Sequence, residues 1–253
     1  MLELHTEDQI ATVKMSHGKV NAMDIEFCQT TIDMLRKLEA DSDCRAVILT
    51  GRGTVFSAGV DLIRVVKEDC DYLDEFLPKL SEMFKAFFAF PKPMVGLVNG
   101  AAIAGGCVLV CACDYRVALE SARIGIPELR VGVPLPTAGL EIMRFAANTS
   151  SFRQIVSNGK TFSGAEAIHA GLIDELQPHD ELPNAAFKMS RELIQIPPEV
   201  FSHTKRHVRS IASHRIRSGE AEYETYIRSL WRRADVRKNI QDYVERNLKR
   251  APN

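Results

Sequence analysis

Two glycine-containing turns constrain this chain more than any other feature. They read Phe56-Ser57-Ala58-Gly59-Val60-Asp61-Leu62 and Asn99-Gly100-Ala101-Ala102-Ile103-Ala104-Gly105-Gly106-Cys107, each directly after an apolar run of strand character. Glycine lets the backbone bend sharply and come close to a ligand with no side chain between, so two such turns can aim two amide donors at one oxygen. Either turn alone reads equally as a plain strand-to-helix connection. Taken as a pair, they call for buried strands that each end in a turn and continue as a helix.

The rest of the sequence supplies those elements. Leu2 to His5 and Ile10 to Met15 alternate apolar with polar around Glu7-Asp8-Gln9, which predicts an opening hairpin. From Met23 to Leu38 the apolar residues Phe27, Ile32, Leu35 and Leu38 fall at helical spacing, and Arg45 to Thr50 reads as a short buried strand. The alternation recurs with Met94 to Val98, a helix after Gly105 and a strand over Tyr115 to Leu119, favouring a layered α/β core. Residues 94 to 113 are apolar enough to raise a membrane span, but Asn99, Gly100, Gly105 and Gly106 divide them into strand, turn and buried helix. Ser163-Gly164-Ala165-Glu166 has the pattern of a capping box, with Gly171 placed to end that helix. The pattern leaves the course of Lys67 to Phe90 open, and that segment reads as loop.

Ile196-Pro197-Pro198 marks a natural boundary. It separates a core of residues 1–196 from an all-helical region of residues 197–253, with helices predicted over Glu199 to about Ser213, Glu220 to about Arg233 and Asp235 to about Lys249. Their apolar stripes, Tyr223, Tyr226, Ile227 and Leu230 and then Val236, Ile240 and Val244, are too sparse for an independent core and must pack on something else.

The wording and order of the motifs resemble the enoyl-CoA hydratase/isomerase, or crotonase, superfamily. The likeness rests on Phe56 to Leu62, Pro91 to Gly100 and Ala104-Gly105-Gly106-Cys107. It extends from Val20-Asn21-Ala22-Met23 through Asp114 to Ala118 and Ile126-Pro127-Glu128, to Gly159 to Ala167 and Ala170 to Asp174. The resemblance implies an α/β crotonase fold, a superhelix of repeated strand-strand-helix units with a C-terminal helical trimerisation region that covers the active site. No internal sequence repeat is visible here. Assembly as a homotrimer, or a homohexamer of stacked trimers, is likewise implied.

For chemistry, the resemblance implies an acyl-CoA thioester substrate whose carbonyl oxygen is held by the N–H groups of Val60 and Gly105. Hydratases of this family pair two glutamates around one water; here the first position is Val108 and the second is kept as Glu128. One carboxylate can remove a proton from one carbon and return it to another on the same face, so the expected activity is enoyl-CoA double-bond isomerisation with Glu128 as shuttle. In apolar surroundings its pKa should rise toward neutrality. Read without the family, Glu128 is a carboxylate capping backbone or pairing with Arg130. Glu141 is a backup acid for which a structural role is expected. The loop Val133-Pro134-Leu135-Pro136 is stiffer than the glycine-rich stretch of hydratases. The alternatives are an enoyl-CoA hydratase, a CoA-ester decarboxylase and a non-catalytic acyl-CoA-binding subunit.

Resemblance also places coenzyme A near Val20, Ala22, Ala58, Asp61 and Leu62. Asp61 reads equally as a helix cap, and Lys205 either meets a CoA phosphate or belongs to a solvated basic face with Arg206, His207 and Arg209. No cofactor is expected, coenzyme A being part of the substrate. With 32 basic and 33 acidic residues among 253 and a formal net charge of -1, neither nucleic acid nor a membrane is expected as partner. The N-terminus has neither a basic start nor a continuous apolar stretch, which makes a cytoplasmic location the expectation. Cys28, Cys44, Cys70, Cys107, Cys111 and Cys113 lack paired spacing with histidines, so no metal site is expected and the thiols read as reduced core residues.

Overall fold

The computed structural model describes residues 1–247. A hairpin of β1 (Leu2–Glu7) and β2 (Ile10–Met15) leads through β3 (Ala22–Met23) to α1 (Ile25–Ala40). Its turn residues Asp8 and Gln9 both have positive φ, 51° and 64°, a twist that matches the strands they join. Asp24 starts α1 by accepting the amide of Phe27. The first unit then runs β4 (Ala46–Gly51), β5 (Val55–Ser57), β6 (Gly59–Val60), α2 (Leu62–Lys67) and α3 (Cys70–Ala89). The second is β7 (Met94–Val98), β8 (Ala101–Ile103) and α4 (Gly105–Ala112), and the third β9 (Tyr115–Leu119), β10 (Ile124–Gly125) and the single turn α5 (Glu128–Val131). Helices α6 (Thr137–Ala146) and α7 (Thr149–Asn158), β11 (Thr161–Phe162), α8 (Gly164–His169), β12 (Glu175–Gln177) and α9 (Leu182–Leu193) follow. Last come α10 (Pro198–Val208), α11 (Ser210–Arg232) and α12 (Ala234–Asn247).

The expected strand-strand-helix superhelix is present. Each unit gives its first strand to a six-stranded sheet, β1-β2-β4-β7-β9-β12, and its second to a four-stranded sheet, β11-β10-β8-β5. Strands β4 and β7 are buried throughout because both faces of the large sheet are covered. Ile10, Ala46, Ile48, Val95, Leu97 and Val117 face Leu182 and Ala186 of α9, while alternate residues such as Val47 and Leu49 face the main core. Residues 94–113 divide as the glycines predict, and among the described residues no helix is long and apolar enough to cross a membrane. All six cysteines are free, and all but Cys70 are buried.

Three readings of the sequence need correction. Lys67 to Phe90 is mostly helix: α3 spans 20 residues and carries Pro78 inside it. Proline costs one backbone bond there, but the helix buries Leu73, Phe76, Leu77, Leu80, Met83, Phe84, Phe87 and Phe88, and that packing outweighs the penalty. The capping box does not form. Gly164 opens α8 at φ +50°, so Ser163 makes no side-chain cap, and Glu166 instead lies 3.4 Å from Lys160. The break between the first two C-terminal helices falls at Arg209, and α11 runs unbroken through Gly219. That glycine allows a close helix approach, since a Cβ there would stand 2.8 Å from Thr137 Cγ2 of α6. The predicted end of the last helix near Lys249 lies outside the described residues.

Candidate active site

Three neighbouring strands of the small sheet, β5, β8 and β10, run parallel. Their C-terminal ends therefore lie along one edge, where parallel α/β sheets commonly bind ligands. The turn after β5 leads to Val60, that after β8 to Gly105, and that after β10 to Glu128. With adjacent strands about 4.8 Å apart, this order brings residues distant in sequence to one site.

The first turn is fixed by buried polar groups. Ser57 Oγ donates to Asn21 O at 2.7 Å and accepts from Gly59 N at 3.1 Å, and Asn21 Nδ2 donates to Phe56 O at 3.0 Å. Ala58 N donates to Val20 O and Asp61 N to Met23 O, both at 3.0 Å, so β6 is clamped along β3. Gly59 has φ +81°, a conformation that side chains disfavour.

The second turn meets the first. A Cβ on Gly59 would lie 2.5 Å from Ala104 Cβ and 2.9 Å from Gly105 N, contacts that only glycine permits. Ala104 itself sits at φ 56°, ψ -126°, held by its N–H to Gly125 O at 2.8 Å. This strained residue precedes the first residue of α4, and first-turn amides have no partner within a helix. The Gly105 N–H is thus a helix-start donor with the helix dipole behind it. Met23 and Phe84 close the space beside it, at 2.7 Å (Sδ) and 3.4 Å (Cζ) from where a Cβ of Gly105 would stand.

Glu128 opens α5. The residue is half-buried, but its Oε2 is sealed from solvent and has no hydrogen-bond partner. Burial pushes its carboxyl up to about 7, against a smaller opposing effect of its own backbone amide. The Cys107 thiol, on the first turn of α4, is pushed well up by burial, by Cys111 and, less, by the charge of Glu128. Arg130 does not pair with Glu128; its Nε donates to Asn158 O at 2.6 Å.

Position 108 holds no carboxylate, and no other charged group, Glu141 included, is among the causes that shift the Glu128 carboxyl. Val108 is buried with Cγ2 3.5 Å from where a Cβ of Gly139 would stand, beside Phe84. Glu141 is buried, but α6 turns it away from the Gly139 face toward the side that carries Thr137. Its Oε1 accepts from Arg144 Nε at 3.0 Å. Its Oε2 is buried without a hydrogen-bond partner, as is that of Glu128.

The residues assigned to coenzyme A divide. Val20, Ala22, Ala58, Asp61 and Leu62 gather where β3 pairs with β6, with Val20 and Ala58 exposed and the other three partly so. Asp61 also caps α2, accepting Arg64 N at 2.9 Å. Lys205 does not lie on the solvated basic face that was one of the two roles foreseen for it. Its Nζ is buried, donating to Asp114 Oδ2 at 2.6 Å and Lys92 O at 2.9 Å, and Arg209 Nη2 takes the other Asp114 oxygen at 2.7 Å. A phosphate would compete with Asp114 for this buried ammonium. The sequence reading missed Met23 and Phe84 as site walls, although the i, i+3, i+4 spacing of Phe76, Leu77, Leu80, Phe84 and Phe87 carried the signal for the second. Two surface clefts, about 390 Å³ beside Tyr115 and Glu175 and about 400 Å³ beside Pro91 and Phe201, contain none of these turn residues. Among the described residues no group of three His, Cys, Asp or Glu stands close enough to hold a metal.

Comparison with known proteins bears on the family and the fold. A family model described as "Enoyl-CoA hydratase/isomerase" matches residues 5–251. Enoyl-CoA delta isomerase 1, mitochondrial, of Rattus norvegicus is 29% identical, over 97% of this chain and 86% of its own length. A probable enoyl-CoA hydratase of Bacillus subtilis is 30% identical over 68% of this chain and 67% of its own. The crystal structure of human mitochondrial delta3-delta2-enoyl-CoA isomerase superposes with a TM-score of 0.94 at 25% identity, covering 99% of each chain. The chain belongs to the enoyl-CoA hydratase/isomerase family, and its fold is the crotonase fold.

Proposed function

We propose that this chain is an enoyl-CoA isomerase that moves a double bond from the 3 to the 2 position of an acyl-CoA thioester, with Glu128 as the only proton carrier. The observation that carries the reading is the isolation of Glu128, a buried carboxylate with an unpartnered oxygen, set against apolar Val108 where a water-activating partner would stand. The N–H groups of Val60 and Gly105 hold the thioester oxygen. Glu128 takes a proton from C2, charge moves onto that oxygen, and the same carboxyl returns the proton to C4 as the double bond settles between C2 and C3. One preorganised donor of this kind is worth roughly 2.7–4 kcal/mol in the transition state. A base near neutrality suits both halves of the transfer.

Val20, Ala22, Ala58, Asp61 and Leu62 are assigned to the coenzyme A moiety. The rat and human relatives named as isomerases support the assignment of reaction. The Bacillus relative named as a hydratase supports a second reading, water addition to a 2-enoyl-CoA. Incubation with 3-enoyl- and 2-enoyl-CoA in deuterated water, with products read by mass spectrometry, separates the two. Isomerisation with deuterium exchange, lost in Glu128→Gln while ligand still binds, is expected; brisk hydration without isomerisation would sink the single-glutamate reading. Assembly as a homotrimer or homohexamer belongs to the same proposal, supported by Val208, Ile211 and Tyr226, each more than half exposed on α10 and α11.

A further inference from the structure

Glu128 sits on an element that cannot hold itself in place. Helix α5 is one turn of four residues, of which only Val131 is buried, and an isolated turn of that length has no stability of its own. What fixes it comes from two sides. On one side Arg130 ties it to Asn158 O at the end of α7, and on the other it meets the C-terminal helices. Gly132, which ends α5 at φ +91°, lies flush against α12: a Cβ there would stand 3.0 Å from Asn239 Nδ2 and 3.2 Å from Asn239 Cβ. The amides of Gly132 and Val133 both donate to the main-chain carbonyl of Glu128, at 2.9 and 3.0 Å, so the position of Gly132 is tied to the backbone that carries the base. Two residues further on, Pro134 O accepts the indole N–H of buried Trp231, from the end of α11, at 3.1 Å.

Helix α12 also reaches the other half of the site. Arg237 Nη2 donates to Glu68 O, the residue that ends α2, at 2.7 Å. Helix α2 begins directly after Val60 and Asp61. One helix, seated by Val236, Ile240 and Val244, therefore touches both the element that follows the first amide donor and the element that carries the base.

We propose that α12 and the end of α11 set the distance between Glu128 and the oxyanion donors, with Asn239 and Trp231 as positioning residues. The inference rests on Glu128 being the base. A shift of about 1 Å in a reacting group can cost up to about a hundredfold in rate, so small packing changes far from the substrate should register in turnover.

The test uses the full chain carrying Trp231→Phe, which keeps an aromatic ring and deletes its N–H, or Asn239→Ala. Lys238→Ala, on the same helix but exposed and paired with Asp242, is the control. Turnover of 3-enoyl-CoA is followed between about pH 5 and 9, beside infrared titration of the protonated Glu128 carboxyl, identified by its loss in Glu128→Gln. Either variant should lower kcat about tenfold with little change in KM. The carboxyl band should titrate at lower pH, because water reaches a loosened base. Lys238→Ala should match wild type. Wild-type kcat and an unmoved band in both variants overturn the proposal, even if melting temperatures fall, since lost stability alone changes neither in the folded molecules. A wild type that does not turn over 3-enoyl-CoA overturns the isomerase reading instead, and the infrared titration then decides the positioning role alone.

Discussion

The buried carboxyl of Glu128 should make stability and activity move in opposite directions with pH. Burial raises its pKa from an ordinary 4.5 to about 7, so the folded chain holds this proton more tightly than the unfolded chain does. The stabilising effect of the proton is fully present below about pH 4.5 and is lost as pH rises through about 7. At about 1.4 kcal/mol per pH unit, the gap corresponds to on the order of 3 kcal/mol of folding stability given up at pH 8 to keep the group ionised. Glu128→Gln removes that dependence while keeping size and shape. The variant should therefore be more stable than wild type at pH 8, by up to that amount, and the difference should shrink toward zero near pH 5. Catalysis needs the ionised form, so wild-type kcat/KM should rise through about pH 7 over the range where stability falls.

The assay is urea unfolding of both proteins at fixed concentration from about pH 5 to 8, because assembly would make midpoints concentration-dependent. Parallel stability curves across that range would refute the reasoning. They would mean that the carboxyl is solvated in the folded chain or finds a partner there, and a poised base would have no basis.

Three further outcomes follow from the site and its supports. Ala104→Gly should raise unfolding stability by about 1 kcal/mol and keep turnover, since glycine adopts the φ 56°, ψ -126° backbone without strain; a destabilised variant in calorimetry would show that Ala104 is relaxed. Val108→Glu places a carboxylate in the packing around Gly139 and Phe84, so a loss of at least about 2 kcal/mol is expected, with slow but measurable water addition to 2-enoyl-CoA by mass spectrometry. Asp114→Asn leaves Lys205 and Arg209 buried without their counter-charge, and urea unfolding should report a loss of about 3–5 kcal/mol.

What the sequence revealed and what it hid have physical causes. The two turns and the split of residues 94–113 were legible because each depends on local backbone geometry, which glycine announces at the positions where it is needed, whereas Glu128 was marked by the family resemblance alone. Lys205 was not legible, because its environment is set by Asp114, 91 residues away, and a basic run on a helix looks the same whether it faces water or a buried acid. Pro78 hid α3 for a related reason: the local signal says break, whereas eight apolar side chains on one face say helix, and only the tertiary contacts decide. The unbroken course of α11 between Ser213 and Glu220 was hidden likewise, since a glycine such as Gly219 serves a close helix crossing as well as it serves a turn.

The site's two costly features are supported from one place. Ala104 holds an unfavourable backbone and Glu128 a buried, unpartnered oxygen, and each would relax if its surroundings could move. The bond from Ala104 N to Gly125 O joins them: it fixes the residue before the Gly105 donor to the strand that leads into Glu128. Strain in the Ala104 turn and placement of Glu128, the proposed base, are thus parts of one construction across β8 and β10. The Val60 turn adjoins it where β5 pairs with β8 and, most closely, where Gly59 touches Ala104 and Gly105. A side chain at Gly59 should consequently separate the two donors before it disturbs Glu128. Gly59→Ala should lose turnover while the carboxyl of Glu128 still titrates at about 7; a carboxyl that shifts together with the lost turnover would show that all three turns move as one body.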